Sequence, residues 1–441
     1  MSRKIMSKKL NVFLMSKLRI KTNIDITSFC LSIIFLCCAL FGFIPQTMLS
    51  SIILICAFII CLYGDSIVLW PIMIFYYSVF GTLFGISIYR LFTLMFLFFY
   101  FYRTKKVIFS KKIFFPLLVY IFYLAFVVMP HSLKTMVFSC VDIICVVVLI
   151  QSYLNNEINI KKFFNTYLII SFIAFFTGLI INNDMTVMQN YGGELVTVSR
   201  FNATFEDPNY MGFFYTIAVF SIISLKLYTP FLRRILVLLL YCIILSSLSM
   251  SAIIGNILLW ICYLFIRGDI KLKTIVIIIF MAILIYGIYI FGLNNPDFAL
   301  LGNMSLKIED KMNSFFNHNF DSFSTGRTAL SEVHLKVFRE SSLFSQLFGG
   351  KAVNAYFIDV ASGANFSAHN EYIDMLLNVG VIGWLIMYGY IFTNVIRKTI
   401  LYKKSKNELY ICGAMLNLTW LYYVATLTVF LDFRFMFAFL I

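Results

Sequence analysis

Apolar runs of bilayer-spanning length alternate with short polar, basic stretches along most of this chain. A helix needs roughly 20 mostly apolar residues to cross the hydrocarbon core. Runs of about that length fall near 27–44, 48–63, 66–86, 87–102, 113–130, 135–153, 163–181, 209–227, 235–250, 251–266, 274–292, 370–396 and 408–425, with a shorter one near 427–441. The pattern predicts an all-α, polytopic integral membrane protein of about 12–14 transmembrane helices. Two long polar stretches interrupt it, 182–208 and 293–369. The chain therefore divides into a basic N-terminal segment (1–26), an N-terminal transmembrane bundle (27–181), a central region carrying both long loops (182–396), and a C-terminal loop with its helices (397–441). Long loops in a compact protein are more often functional than decorative.

Three places in these loops combine polarity with a helix-start signal. Asp207-Pro208-Asn209 closes the first loop and reads as a turn feeding the next span. Arg200 precedes it by seven residues and is not explained by the turn. In the second loop, Ser324-Thr325-Gly326-Arg327 precedes Leu330, Val333, Leu335 and Val337, an amphipathic spacing with Ser324 or Thr325 as cap. Arg327 then sits at the positive end of a helix dipole, where a compensating anion is favourable. A salt bridge to Glu332, Glu340 or Asp359 would supply one. His318 and His334 share this loop without a partner at metal-ligand spacing. Finally, Ser367 reads as the N-cap of the helix that follows, with His369 in its first turn, Asn370 and Glu371 next, and Gly380 and Gly383 further on, placed for close helix packing. A histidine there is either a capping or buried side chain, or a neutral imidazole able to take a proton beside an anion held by free N–H groups.

Composition supports the membrane reading. The chain is 61% hydrophobic and only 12% charged, with a mean hydropathy of +0.91, where soluble domains carry about a quarter charged residues. Most of its 35 Lys and Arg fall in the N-terminal segment and in alternate short loops, including Arg103, Lys161, Lys226, Arg267 and the group Arg397 to Lys406. That alternation puts the N-terminus in the cytoplasm and both long loops outside. The net charge of +15 is thus a positive-inside signature facing anionic lipid, and does not call for nucleic acid. The basic N-terminal segment lacks a compact apolar core with a small-residue cleavage site, so it reads as a retained surface segment. All ten cysteines fall inside predicted spans, with no disulfide framework or metal-ligand spacing.

Arg200 with Thr204-Phe205-Glu206-Asp207-Pro208-Asn209, Ser324-Thr325-Gly326-Arg327, and His369-Asn370 followed by Gly380 and Gly383, in that order, resemble the O-antigen ligase and polymerase family of bacterial envelope enzymes. The likeness covers roughly 186–384. Ser331 departs from the large aromatic common in that family, and Ser249-Met250-Ser251-Ala252 lacks the arginine often found there. The resemblance implies a GT-C-like membrane glycosyltransferase of the bacterial inner membrane, working on its outer face without metal or other cofactor. Its donor would be a glycan on undecaprenyl pyrophosphate and its acceptor a sugar hydroxyl on another lipid-linked glycan or on lipid A core. A chain-length regulator and a flippase would be its protein partners. Carried over by position, Arg200 and Arg327 hold the donor pyrophosphate and His369 acts on the acceptor hydroxyl or at the phosphate. Asp207, Asn209, Asn370 and Glu371 are the substrate-binding candidates. Asp207, Glu206, Glu194 and Glu371 remain alternative bases.

Three functions compete on these residues: a polymerase of O-antigen, capsule or exopolysaccharide repeat units, a ligase using the same donor, and a flippase or transporter of lipid-linked oligosaccharide. A transporter concentrates ionisable groups at mid-membrane depth. Here Asp142 and Arg90 are the clear candidates, and most unexplained polar residues lie in the long loops.

Overall fold

The computed structural model describes residues 30–31, 33–34, 45–63, 69–77, 82–83, 86–104, 137, 140–141, 144–145, 148, 159–181, 184–191, 194–268, scattered positions between 286 and 317, 327–349, 357–358, 365–366 and 370–427. His369, Ser367, Asp142, Thr325 and Ser324 lie outside them, as do the predicted spans at 113–130 and 427–441. The protein is mostly helical and divides into two compact units.

The first unit is built from α1 (Gln46–Tyr63), α2 (Leu69–Tyr76), α3 (Ile88–Thr104) and α4 (Ile160–Ile181), joined by the segment Ala203–Phe205. A single span predicted over 66–86 is instead the short helix α2, with the paired two-residue strands Thr82–Leu83 and Ile86–Ser87 further on. Every residue of α2 is buried, which suits a helix apolar on all sides. It packs on α4 through Phe75 against Tyr167 and through Tyr76 Oη, 3.2 Å from Thr177 Oγ1. The Thr204 hydroxyl donates to the Phe75 carbonyl, and a Cβ on Gly178 would collide with the backbone of Ala203. Arg90 stands in the first turn of α3, over the ring of Tyr89.

The second unit opens with an antiparallel ribbon of β1 (Asp184–Tyr191) and β2 (Glu194–Phe201), in register from Asp184↔Phe201 to Tyr191↔Glu194. An all-α reading misses it. The sequence signal is the alternation across Met185-Thr186-Val187 and Val196-Thr197-Val198 around Gly192-Gly193, a pair suited to a two-residue hairpin turn. Then come α5 (Pro208–Ser224), α6 (Pro230–Ser246), α7 (Met250–Arg267), α8 (Arg327–Glu340), α9 (Leu343–Phe348), α10 (Glu371–Ser405) and α11 (Glu408–Tyr423). Helix α5 is central and buried along almost its whole length, against α6, α7 and α11. Its inner end joins Leu259, Tyr263, Ile266, Ile411, Ala414 and Met415 in a core around Phe220. Asn256 of α7 ties the bundle polar-side by donating to Thr216 Oγ1 at 2.8 Å.

Helix α10 is the largest departure from expectation. Its helical run reverses at Gly380, whose φ of 65° and ψ of 178° are not helical. The Tyr372 and Tyr388 rings lie 4.5 Å apart, and Trp384 Nε1 donates to the Tyr372 carbonyl at 3.0 Å. In a straight helix those sixteen residues would span about 24 Å. Residues 371–379 therefore run back along 381–388 as the short limb of a helical hairpin. Gly380 is the turn of this hairpin and, as the sequence led one to expect, a point where a neighbouring helix, the short α9, approaches closely. A Cβ on Gly380 would strike the backbone at Leu347 and Phe348, and one on Gly349 the backbone of Asn378 and Val379, so α9 sits on the tip. The long limb continues to Ser405, through positions expected in a cytoplasmic loop. Lys398 on that limb is only 8% exposed, so it is a buried helix residue and not a loop charge.

Among the described residues, three helices are long and apolar enough to cross a membrane: α4, α7 and α10.

Candidate functional site

The site is assembled at one end of α5, α7 and α11, while α8 packs on α10. Asp207 caps α5, its Oδ1 accepting from the Asn209 N–H at 2.6 Å, with Pro208 at the first helical position, where its missing N–H costs nothing. Asn209 follows in the first turn and is buried. Its Oδ1 accepts from the Ser249 hydroxyl at 2.6 Å and from the Ser251 hydroxyl at 3.1 Å. Ser249 is itself the cap of α7, accepting from Ala252 N–H at 3.2 Å. The two helix starts are thus stitched by side chains that a bilayer would otherwise leave unsatisfied. One residue before that cap, Leu248 takes a positive φ that turns the chain from α6 into α7.

Arg200 comes from β2, opposite Met185 in the ribbon. Its Nε donates to the Ser247 carbonyl at 3.2 Å, so the same α6–α7 turn that presents Ser249 also holds this guanidinium. Arg327 begins α8, at the helix start expected for it, while the expected caps lie outside the described residues. Burial lowers the pKa of its guanidinium from the ordinary value, and the facing Asp207 and Tyr422 partly oppose that shift. An arginine remains charged throughout the physiological range regardless, so the site keeps a desolvated, permanent cation. The expected local partners Glu332 and Glu340 are exposed, Glu340 reaching Lys336 at 4.0 Å. The electrostatic neighbours of Arg327 are tertiary instead. Tyr422, near the end of α11, donates its hydroxyl to the Ser251 carbonyl at 2.8 Å.

At α10 the cap is Asn370, accepting from Tyr372 N–H at 3.1 Å, and not Ser367. The first helical turn therefore starts after His369. Glu371 is fully buried, and its N–H donates to the Val424 carbonyl at 2.8 Å, which joins the base of the hairpin to the end of α11. Tyr372, Trp384, Tyr388 and Trp420 form an aromatic cluster beside it. His334 is buried on α8 with Nδ1 2.8 Å from the Leu330 carbonyl, an intrahelical contact. Glu206 is exposed.

Of the sequence candidates, Asp207 and Asn209 share one hydrogen-bond network, and Arg327 feels the charge of Asp207. Arg200 joins through the Ser247 turn, and Asn370 with Glu371 through the end of α11. Sequence reasoning noted Ser249 and Ser251 only for a missing arginine and gave them no role, and it passed over Tyr422. The Ser-x-Ser pair before an apolar run is a cap signal that marks the first two, whereas nothing local marks Tyr422.

Such an arrangement can hold an anion by guanidinium groups beside fixed carboxylate and amide groups, at the ends of apolar helices. These features define an integral membrane protein with a cationic, polar site. Residues 235–388 match the family described as O-Antigen ligase, which supports the likeness to the O-antigen polymerase and ligase family. The matched stretch takes in Ser249, Ser251, Arg327 and Asn370, while Arg200, Asp207, Asn209 and Tyr422 lie outside it. Comparisons with curated proteins and with solved structures give no match.

Proposed function

We propose that the protein is a membrane glycosyltransferase that polymerises undecaprenyl-pyrophosphate-linked oligosaccharide repeat units on the outer face of the cytoplasmic membrane, with the N-terminus inside and about 12–14 spans. The observation that carries this reading is the half-buried Arg327, subject to the charge of Asp207, beside the Asp207–Asn209–Ser249 hydrogen-bond network, within and beside the family-matched stretch.

In this reaction an acceptor hydroxyl attacks the anomeric carbon, the bond from that carbon to the pyrophosphate oxygen breaks, and the electron pair leaves with the lipid pyrophosphate. Negative charge builds on the leaving phosphate, and planar guanidinium groups answer it with charge-assisted, often bidentate hydrogen bonds. Arg200 and Arg327 take that role. The hydroxyl proton goes to His369, with Asp207 and Glu371 as alternative acceptors. Asn209 and Asn370 orient the sugars. The pyrophosphate lies at headgroup level while its polyprenyl tail stays in lipid, so a polar site at the ends of apolar helices suits the substrate. No metal or nucleotide enters this scheme.

A ligase, which uses the same donor chemistry with lipid A core as acceptor, is the second reading, compatible with the same family match. Deleting the gene in its host and resolving surface polysaccharide from carrier-bound glycan separates the two. Loss of long chains with single repeat units still attached identifies a polymerase; long chains stranded on the carrier identify a ligase. An unchanged glycan profile refutes both.

A further inference from the structure

In α9 the polar side chains face the protein and the apolar ones face away from it. The Gln346 amide donates to the carbonyls of Phe338, Arg339 and Ser341 at 3.2, 2.9 and 3.1 Å, closing the end of α8. Ser342 caps α9 itself, its hydroxyl accepting from the Ser345 N–H at 3.3 Å. Leu343 is 72% and Phe344 71% exposed, and the Phe348 ring lies 5.0 Å from that of Phe344. No charged residue interrupts the stretch 341–350. In water this arrangement is unfavourable, because it leaves large apolar side chains in the solvent; at a lipid interface it is the favoured one.

The place of α9 in the fold decides which of the two surrounds it. It packs on the tip of the α10 hairpin, where Gly349 and Gly380 bring backbone against backbone. Arg397, the first basic residue of the long limb and an exposed one, follows Gly380 by seventeen residues. That is about 25 Å of helix, close to the roughly 30 Å of a hydrocarbon core. Leu385, Ile386, Phe392 and Ile396 are exposed between them, a strip suited to lipid tails. With the basic end of the limb at one membrane boundary, its tip reaches the other, and α9 lies on that tip.

We propose that α9 is an interfacial anchor: Leu343 and Phe344 enter the bilayer at the boundary opposite the basic end of α10, and Gln346 holds the end of α8 there. The occupant of this face is lipid and not a second copy of the chain. The face is only three side chains wide, where a stable protein interface takes about 20–30 residues a side, and it stands at the head of the lipid-facing strip of α10. The inference rests on the protein being an integral membrane protein and stands apart from the reaction it performs.

The test is photo-crosslinking of the full-length protein in nanodiscs of phosphatidylethanolamine and phosphatidylglycerol, with p-benzoylphenylalanine in place of Phe344. The control carries the same probe in place of Glu332, an exposed residue of α8. Both side chains are exposed, so neither replacement disturbs the core. Lipid adducts at position 344, read by mass spectrometry of the labelled peptide, are expected at least roughly 5-fold above those at 332. Cross-links from 344 to a second copy of the chain, or lipid adducts no more frequent than at 332, overturn the proposal.

Discussion

Arg327 shows what one residue's position discloses and what it conceals. An arginine in the first turn of a helix opposes the dipole, and that local conflict is visible in sequence. Its resolution is not. Of the expected partners near in the chain, Glu332 and Glu340 are exposed and Asp359 lies outside the described residues, while the charge of Asp207 acts on Arg327 from a distant part of the sequence that no spacing rule encodes. Replacing Arg327 by alanine should lower turnover by about 10²–10³, the scale for losing one preorganised charge donor. Arg327→Lys should recover little of it, since a single ammonium lacks the planar fork. His369→Ala should also abolish turnover. Radiolabelled repeat-unit transfer in isolated membranes, with protein level checked by immunoblot, measures all three. Full activity in Arg327→Ala and His369→Ala would remove these residues from the reaction.

At the scale of elements, hydropathy located helices well where they are straight. The runs near 163–181, 209–227, 235–250, 251–266 and 408–425 coincide closely with α4, α5, α6, α7 and α11. It failed where an apolar run changes direction, since the stretch Val379-Gly380-Val381-Ile382-Gly383 reads as unbroken span. Gly380 alone permits the reversal, because its positive φ excludes side chains and its Cα lies against backbone at Leu347 and Phe348. The ribbon β1–β2 was missed for a related reason, as a window of spanning length averages away a two-residue alternation. Gly380→Ala should destabilise the protein by about 1–3 kcal/mol from backbone strain alone, with the backbone clash adding to it. Gly389→Ala, with nothing within 4 Å of the added carbon, is the matched control. Thermal unfolding in detergent should show a lower midpoint for the first and little change for the second. Equal midpoints would mean that the tip tolerates a side chain.

For the whole molecule, charge alternation predicts sidedness. A reporter fused at Asn317 should read as external and one at Lys404 as cytoplasmic, and the reverse pattern would put the site on the wrong face for a lipid-linked donor. Lys398 needs separate treatment in that argument, since it is buried on the long limb of α10 and is not a solvated loop charge.

The reversal in α10 also changes how any depth-sensitive probe must be interpreted. Along an ordinary span, label accessibility or quencher distance changes steadily with residue number. Here the scale is folded at Gly380: the rings at 372 and 388, sixteen positions apart, lie 4.5 Å from each other, so residue number ceases to measure depth. A scan plotted against sequence would give a peak where a slope is expected, and the approach to Asn370 would register as a descent.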